Sequence, residues 1–439
     1  MIERAIGGIG QVIKFTLTAD IVSYANIMPD NTKNRSEAAA IYTEIYSEVI
    51  SRAESQDFAG YDPFDGLESR LFKAIPLLSG SSLARIAWLQ AVKRFPVNIR
   101  PLLKVPSGVN PKGLALFVLS ELSLIRSGRR NAGLIYRLLD SLDELALYGK
   151  TADGRTTRSF GYNFDWQSRA FFAPKGTPTI VPTAFAAKAY LEAFEMLGDI
   201  RYLNAADEVS LFILNDLRRP VESESTICFS YTPADNSIIL NASLLAGEVL
   251  SRTGKLANKA VYHETALKAA RFVLENQTKE GSWPYGTRLR HKWVDNFHTA
   301  FMISSLKAIY DNSLADYGHP DSQSFSDAIS KGVDYWISNF FLDCGAPKYF
   351  HNRTYPIDIH SSAAAIVTLC EIAEIREDAV SLACKIADWT LENMYEGAGR
   401  FSYQINKFYK TKTEFIRWGQ AWMAFALARL IETLGSKSE

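Results

Sequence analysis

The amino-acid sequence predicts an all-α protein, an (α/α)6 toroid in which about six helical hairpins close into one ring, and three observations carry that expectation. Long apolar runs rich in Ala, Leu and Ile recur along the 439 residues. An aromatic, polar loop introduces each run. Amphipathic stretches with apolar residues on one helical face and charges on the other lie between the runs. Self-similarity at a regular spacing is the mark of repeat architecture.

The first copy is the weakest, 108-GVNPKGLALFVLSELSLIRSG. The second opens on the loop 159-SFGYNFDWQSRAFFAPKGTPTIVP and continues as 183-TAFAAKAYLEAFEMLGD. The third runs from 228-CFSYTPADN into 238-IILNASLLAGEVLSRTGK, and the fourth from 281-GSWPYGTRLRHKWVDN into 297-FHTAFMISSLKAIYD. The fifth joins 347-PKYFHNRTYPID to 359-IHSSAAAIVTLCEIAE, and the last joins 400-RFSYQINKFYKTKTEFIR to 418-WGQAWMAFALARLIETL. Inner helices are therefore expected to begin near 111, 183, 238, 297, 359 and 418. That spacing leaves room for a loop, an inner helix, a turn and an outer helix. Stretches such as 201-RYLNAADEVSLFILNDL and 325-FSDAISKGVDYWISNFF read as the half-exposed outer helices. The chain is read as a single domain over 1–439, with 1–110 an N-terminal extension and first hairpin. An open solenoid would have short, similar connections, whereas these loops are long and aromatic, as functional loops are.

Forty-eight basic residues balance forty-eight acidic ones, which gives no reason to propose nucleic acid or an anionic membrane as the main partner. Cys228, Cys344, Cys370 and Cys384 are scattered without C-x-x-C spacing and read as buried reduced thiols. The start, MIERAIGGIGQVIKF, lacks the continuous apolar region of a signal peptide, and no apolar run is long enough to span a bilayer, so the expected location is the cytoplasm. No HExxH, phosphate-binding glycine loop, dinucleotide-binding glycine pattern or G-x-S-x-G elbow occurs, and neither a metal site nor a cofactor is expected. The segment 277-QTKEGSW fits a Q-x-x-x-G-x-W pattern of terpene cyclases, but no D-x-D-D segment accompanies it, and a structural turn is the simpler role.

In such a ring the loops before the inner helices gather at one end, where helix N-termini suit oxygen-rich or anionic ligands. The loops carry the expected substrate-binding residues Tyr162, Trp166, Arg169, Tyr231, Asn236, Trp283, Tyr285, Arg288, Asn296, Tyr349, Tyr355 and Trp418. Rings that stack on sugar C–H faces, interleaved with amides and guanidinium groups that pair with hydroxyls, are what an oligosaccharide cleft needs. The candidate catalytic residues are Asp295, His298, Asp165, Asp358 and His360. Asp295 and Asp358 also stand where helix N-caps belong, and each histidine follows its aspartate within three residues. The run 57-DFAGYDPFDGLESRLFKAI, with Asp62, Asp65 and Glu68, and the following cations Arg94, Arg100, Lys104 and Lys112, read either as a solvated connection or as a wall of the cleft.

The combination GYDPFDGLESRL, KRFPVNIRPLLKVPSGVNPKG, GYNFDWQSR, GSWPYG and WVDNFHTAFMISSL resembles the VpsJ-type polysaccharide biosynthesis proteins over roughly 50–435. The resemblance implies a six-hairpin-glycosidase-like ring and a role in making bacterial capsule or exopolysaccharide. It brings no catalytic assignment. Three functions remain open. Glycoside hydrolysis would pair Asp295 with Asp165 or Asp358, and fold analogy favours it. Elimination or epimerisation of a uronic acid would use cations and amides on the carboxylate and Tyr or His on the C5 proton, drawing on Arg169, Arg288, Asn296, His298, His360, Tyr355 and Tyr231. A non-catalytic role in glycan binding or assembly, in association with membrane-bound polysaccharide machinery, is the third.

Overall fold

A computed structural model describes residues 32–128, 132–168, 171–315 and 319–435. The opening MIERAIGGIGQVIKF and Arg169 lie outside the described residues. Among these the helices are, in chain order, α1 (Thr32–Ser55), α2 (Arg70–Lys73), α3 (Pro76–Ser79), α4 (Ser82–Arg94), α5 (Pro111–Arg126), α6 (Ala132–Glu144), α7 (Ile180–Leu197) and α8 (Ile200–Asn215). They continue as α9 (Leu240–Ala257), α10 (Ala260–Glu275), α11 (Asn296–Ser313), α12 (Ser322–Phe340), α13 (Ile359–Glu371), α14 (Ala379–Met394) and α15 (Ala421–Gly435).

The apolar runs form a closed inner ring. α5 packs on α7, and α9, α11, α13 and α15 follow in turn until α15 returns to α5. Helices packed on both sides must be apolar all round, and α13 shows it, with every residue from Ile359 to Cys370 buried. The outer helices α6, α8, α10, α12 and α14 each back onto the inner helix before them. α12 buries Phe325, Ile329, Val333, Trp336 and Phe340, a three- and four-residue spacing that makes one stripe, while its other face meets water. α15, at the chain's end, finds its outer partner in α1 at the other end. The ring is thus the (α/α)6 toroid that the repeats predict, closed by joining the two ends of the described chain.

The inner helices begin at 111, 180, 240, 296 and 359, and the last opens with a π-helical turn, Ile416–Gln420, before α15. The strands are short antiparallel pairs in the loops. One three-stranded patch pairs Gln404 with both Asp358 and Thr411, which ties the fifth and sixth loops together.

The N-terminal loop is anchored to the end of the chain. Ala59–Gly60 pairs with Gly108–Val109, and the Ile416 amide donates to the Tyr61 carbonyl. Leu67, Phe72 and Leu89, with Phe64 and Trp88 against them, make a small second core outside the main one. The Q-x-x-x-G-x-W segment is a structural brace. Gln277 Nε2 donates to the carbonyls of Gly281 (3.0 Å) and Ala328 (2.9 Å), which fastens the end of α10 to α12. Gly281 has φ +99°, and a Cβ there would stand 2.4 Å from the Lys331 carbonyl oxygen, so only glycine fits. Cys228, Cys370 and Cys384 are buried thiols, but Cys344 is exposed because it sits in the tight turn closed by the Gly345 amide and the Leu342 carbonyl.

Candidate active site

The loops leading into the inner helices surround a cleft of about 850 Å³ at one end of the ring. Two of its junctions repeat one local design. At α11, Asp295 is the N-cap, and its Oδ1 accepts the His298 amide at 3.0 Å. Its Oδ2 accepts Trp293 Nε1 at 2.9 Å and faces His298 Nδ1 at 2.7 Å. At α13, Asp358 is the N-cap, accepting the His360 amide and Trp418 Nε1, each at 2.9 Å, on Oδ1 and Gln404 Nε2 at 2.5 Å on Oδ2. An aspartate that starts a helix accepts orphan amide hydrogens and fixes the first-turn side chains. Here it places a histidine at the cleft each time.

The two histidines differ in electrostatics. His360 Nδ1 lies 3.1 Å from the Trp418 carbonyl. A carbonyl only accepts, so Nδ1 carries the hydrogen and Nε2 of the neutral ring presents a bare lone pair. Burial, reinforced by the nearby Lys112 ammonium, holds the His360 pKa well below the usual histidine value. His298 instead faces the Asp295 carboxylate through Nδ1, so Nδ1 carries a hydrogen and Nε2 is turned away from the carboxylate. Both rings pack on Phe297, at centroid distances of 4.2 Å for His298 and 4.8 Å for His360. Neither Nε2 makes a hydrogen bond among the described residues.

The expected residues divide cleanly. Asp295, His298, His360, Tyr162, Trp166, Tyr231, Tyr285, Tyr349 and Trp418 line the cleft. Asp358 is fully buried behind Trp418, where burial raises its pKa, and it does not line the cleft. Asp165 lies off the cleft as well, ion-paired with Lys73 at 3.1 Å and accepting the Lys175 amide. Trp283 is wholly buried with its Nε1 donating to the Val273 carbonyl. Asn296 is consumed in the scaffold, donating to the Lys348 carbonyl and accepting from Trp336 Nε1. Arg288 donates to the Asn236 carbonyl, and neither residue lines the cleft. Tyr355 is exposed outside it.

The N-terminal segment forms a wall of the cleft through Phe64, Ile86, Leu89, Gln90, Lys93 and Arg94. Its acids do not reach the cavity. Asp62 forms a two-point ion pair with Arg417 at 2.6 and 2.8 Å, both residues buried, and Asp65 pairs with Arg100 at 2.6 Å. The cleft therefore holds five cations, Lys93, Arg94, Lys112, Arg353 and Arg417, against one carboxylate, Asp295, among the described residues. Of the five, Arg417 alone is ion-paired among the described residues. Lys112 is the most unusual. It is 3% exposed, its ammonium group has no hydrogen-bond or ion-pair partner among the described residues, and its Nζ lies 4.2 Å from the Phe185 ring centre and 5.0 Å from that of Trp422. Burial pushes its pKa well down. The Lys93 Nζ stands 4.0 Å over the Phe64 ring, and burial lowers it to about 8, with Asp358 and Asp62 opposing the drop. Among the described residues, no group of three or more His, Cys, Asp or Glu is placed to hold a metal ion.

Solved structures share this architecture. The chain is similar to the cellobiose 2-epimerase of Bacillus thermoamylovorans, with a TM-score of 0.56 at 12% identity, covering 75% of this chain and 88% of that one. Its fold is the same closed ring. A GH76 α-mannanase of Bacteroides thetaiotaomicron matches with a TM-score of 0.54 at 11% identity, over 74% of this chain and 86% of the other. An unsaturated glucuronyl hydrolase specific for heparin matches with a TM-score of 0.53 at 12% identity, over 75% and 87%. No family model matches the chain, and no curated protein matches it in sequence.

Proposed function

We propose that this protein is a carbohydrate-active enzyme that moves protons on an acidic saccharide, as an epimerase or a lyase, with His360 as base and His298 as acid. The observation that carries the reading is the histidine pair. Both residues line one cleft, each fixed through Nδ1, one kept neutral by burial and the other backed by a carboxylate. Two histidines held in different surroundings at one cleft can serve as a base and an acid.

The chemistry balances on these residues. His360 Nε2 takes the C5 proton of a uronate, and the electron pair moves into the carboxylate. Proton return from His298 on the opposite face gives the C5 epimer. If the pair instead expels the C4 oxygen, protonated by His298, an unsaturated uronate results. Cations beside the substrate carboxylate make its α-proton easier to remove by neutralising the charge that develops. Lys93, Arg94 and Arg353, which line the cleft without an ion-pair partner among the described residues, supply that condition. Its aromatic lining suits the sugar faces. Hydrolysis needs a second carboxylate at the scissile bond, and neither Asp165 nor Asp358 lines the cleft. The similar solved structures, named for epimerase and glycosidase activities, are compatible with a saccharide ligand. The VpsJ-type resemblance of GYDPFDGL and VDNFHT supports a place in surface-polysaccharide production.

The test is a panel of uronate oligosaccharides, each paired with its carboxyl-reduced neutral counterpart. At least one acidic member is expected to bind roughly tenfold more tightly than its neutral twin, the size of an accessible ion pair's contribution to discrimination. Equal binding across every pair would remove the acidic substrate from the account.

A further inference from the structure

Eight of the eighteen exposed large hydrophobic side chains among the described residues fall between Leu71 and Leu102. Three of them project fully: Leu77 shows 90% of its surface, Leu83 77% and Leu102 76%. The short helices α2 and α3, the start of α4 and the 95–102 loop carry them. Hydrogen bonds knit the segment into one body. The Arg70 amide donates to the Lys104 carbonyl, and Ser69 Oγ donates to the Leu103 carbonyl, which brings the Leu102 loop beside Leu71. The segment rests on its small core of Leu67, Phe72 and Leu89, so these leucines are surplus to its folding.

Charge is as lopsided as hydropathy. From Ser69 to Ser120 the sequence holds eight Lys and Arg and not one Asp or Glu, although acids and bases are equal over the whole chain. Some of these cations are already engaged: Lys73 with Glu68 and Asp165, and Arg100 with Asp65. Arg70 and Lys104 are exposed and make no ion pair among the described residues. Projecting aliphatic side chains flanked by Arg70 and Lys104, in a stretch of sequence without an acid, match the interfacial layer of an anionic bilayer, where apolar groups enter the acyl boundary and Lys and Arg meet the headgroups. A protein partner with a large negative face would match the cations but gains little from isolated, protruding leucines, which need a surface that flows around them.

We infer that the 70–104 segment is a membrane-docking surface that seats the protein peripherally on an anionic lipid bilayer. No helix among the described residues is long and apolar enough to cross a membrane, so the contact is with one face of the bilayer. The same α4 that starts at the exposed Leu83 contributes Ile86, Gln90 and Lys93 to the cleft. Docking through this segment therefore sets the cleft wall close to the lipid surface, where a saccharide still attached to a lipid carrier would be presented.

Flotation of the full chain with vesicles tests this. The protein is expected to float with phosphatidylcholine vesicles containing phosphatidylglycerol, to float less in high salt, and to stay behind with phosphatidylcholine alone. The triple variant Leu77→Ser, Leu83→Ser, Leu102→Ser is expected to bind at least roughly tenfold more weakly with an unchanged melting temperature, because the three side chains have almost no intramolecular contacts to lose. A second variant, Arg70→Gln with Lys104→Gln, should remove the preference for the anionic lipid. Failure of the parent protein to float, or flotation of the triple variant like the parent, would overturn the inference. If the parent ignores vesicles and forms a concentration-dependent oligomer that the triple variant abolishes, the surface belongs to a protein interface and the lipid assignment is wrong.

Discussion

Replacing His298 with alanine is expected to lower turnover by about 10²–10⁴-fold, the range a positioned proton carrier supplies, while saccharide binding changes only a few-fold. The side chain is partly exposed at the cleft and makes one strong contact, Nδ1 to Asp295 Oδ2 at 2.7 Å, so the ring of helices does not depend on it. The loss should appear in kcat rather than KM, because the proton moves only in the reacting complex. His360→Gln should match it in turnover and differ in pH behaviour. The folded-state pKa of His360 is depressed, so its base form persists below the usual histidine pKa of about 6.5. The acid limb of kcat/KM is accordingly expected below that value. Asp295→Asn is a positioning change. It leaves an N-cap side chain but removes the carboxylate that holds His298 Nδ1, and it should cost less than His298→Ala. Equal turnover in His298→Ala and the parent protein would place the acid elsewhere.

Asp62→Ala is expected to destabilise the protein by about 3–5 kcal/mol, because it leaves the buried Arg417 guanidinium unpaired. Arg417 and Asp62 are 3% and 4% exposed and are joined by two charge-assisted bonds across 355 residues of chain. The pair clamps the N-terminal loop onto the π-helical turn that opens the last inner helix, and the Arg417 guanidinium also lies 5.2 Å from the Tyr162 ring at the cleft. Thermal or urea unfolding measures the loss. A double change, Asp62→Leu with Arg417→Met, should recover most of it, since an apolar pair of similar volume replaces a buried ion pair at little net cost. A double variant as unstable as Asp62→Ala would show that the clamp acts through shape rather than charge.

The fold was legible because the repeats express it locally. Every inner helix is an apolar run of about the right length, and each starts within a few residues of its expected position. Ala363, Ala364 and Ala365 in one run already announce a helix packed on both sides. The pairing of α1 with α15 was not legible, since nothing local marks helices hundreds of residues apart as neighbours.

The site was legible in part for the same reason. His298 and His360 follow helix-capping aspartates, a pattern visible within four residues. What escaped was orientation. Asp295 and Asp358 look alike in sequence, yet one lines the cavity and the other is sealed behind the Trp418 indole that donates to it. Trp283 sits in a loop of stacking aromatics but turns inward to bond the Val273 carbonyl. Lys93 gave no signal of its own. It reaches the cleft because α4 folds over it on a small separate core. Lys112, buried among aromatic rings, becomes conspicuous only once those rings are in place.

The most direct test of the account is the reaction in deuterium oxide with the best-bound uronate oligosaccharide of the panel, followed by mass and NMR analysis of the sugar. The expected product is either the C5 epimer carrying deuterium at C5 with the chain length intact, or an unsaturated uronate absorbing in the ultraviolet, formed about 10²–10⁴-fold more slowly by His298→Ala. New reducing ends without deuterium at C5 and without that absorbance would mean hydrolysis, and the histidine pair would lose its assigned role.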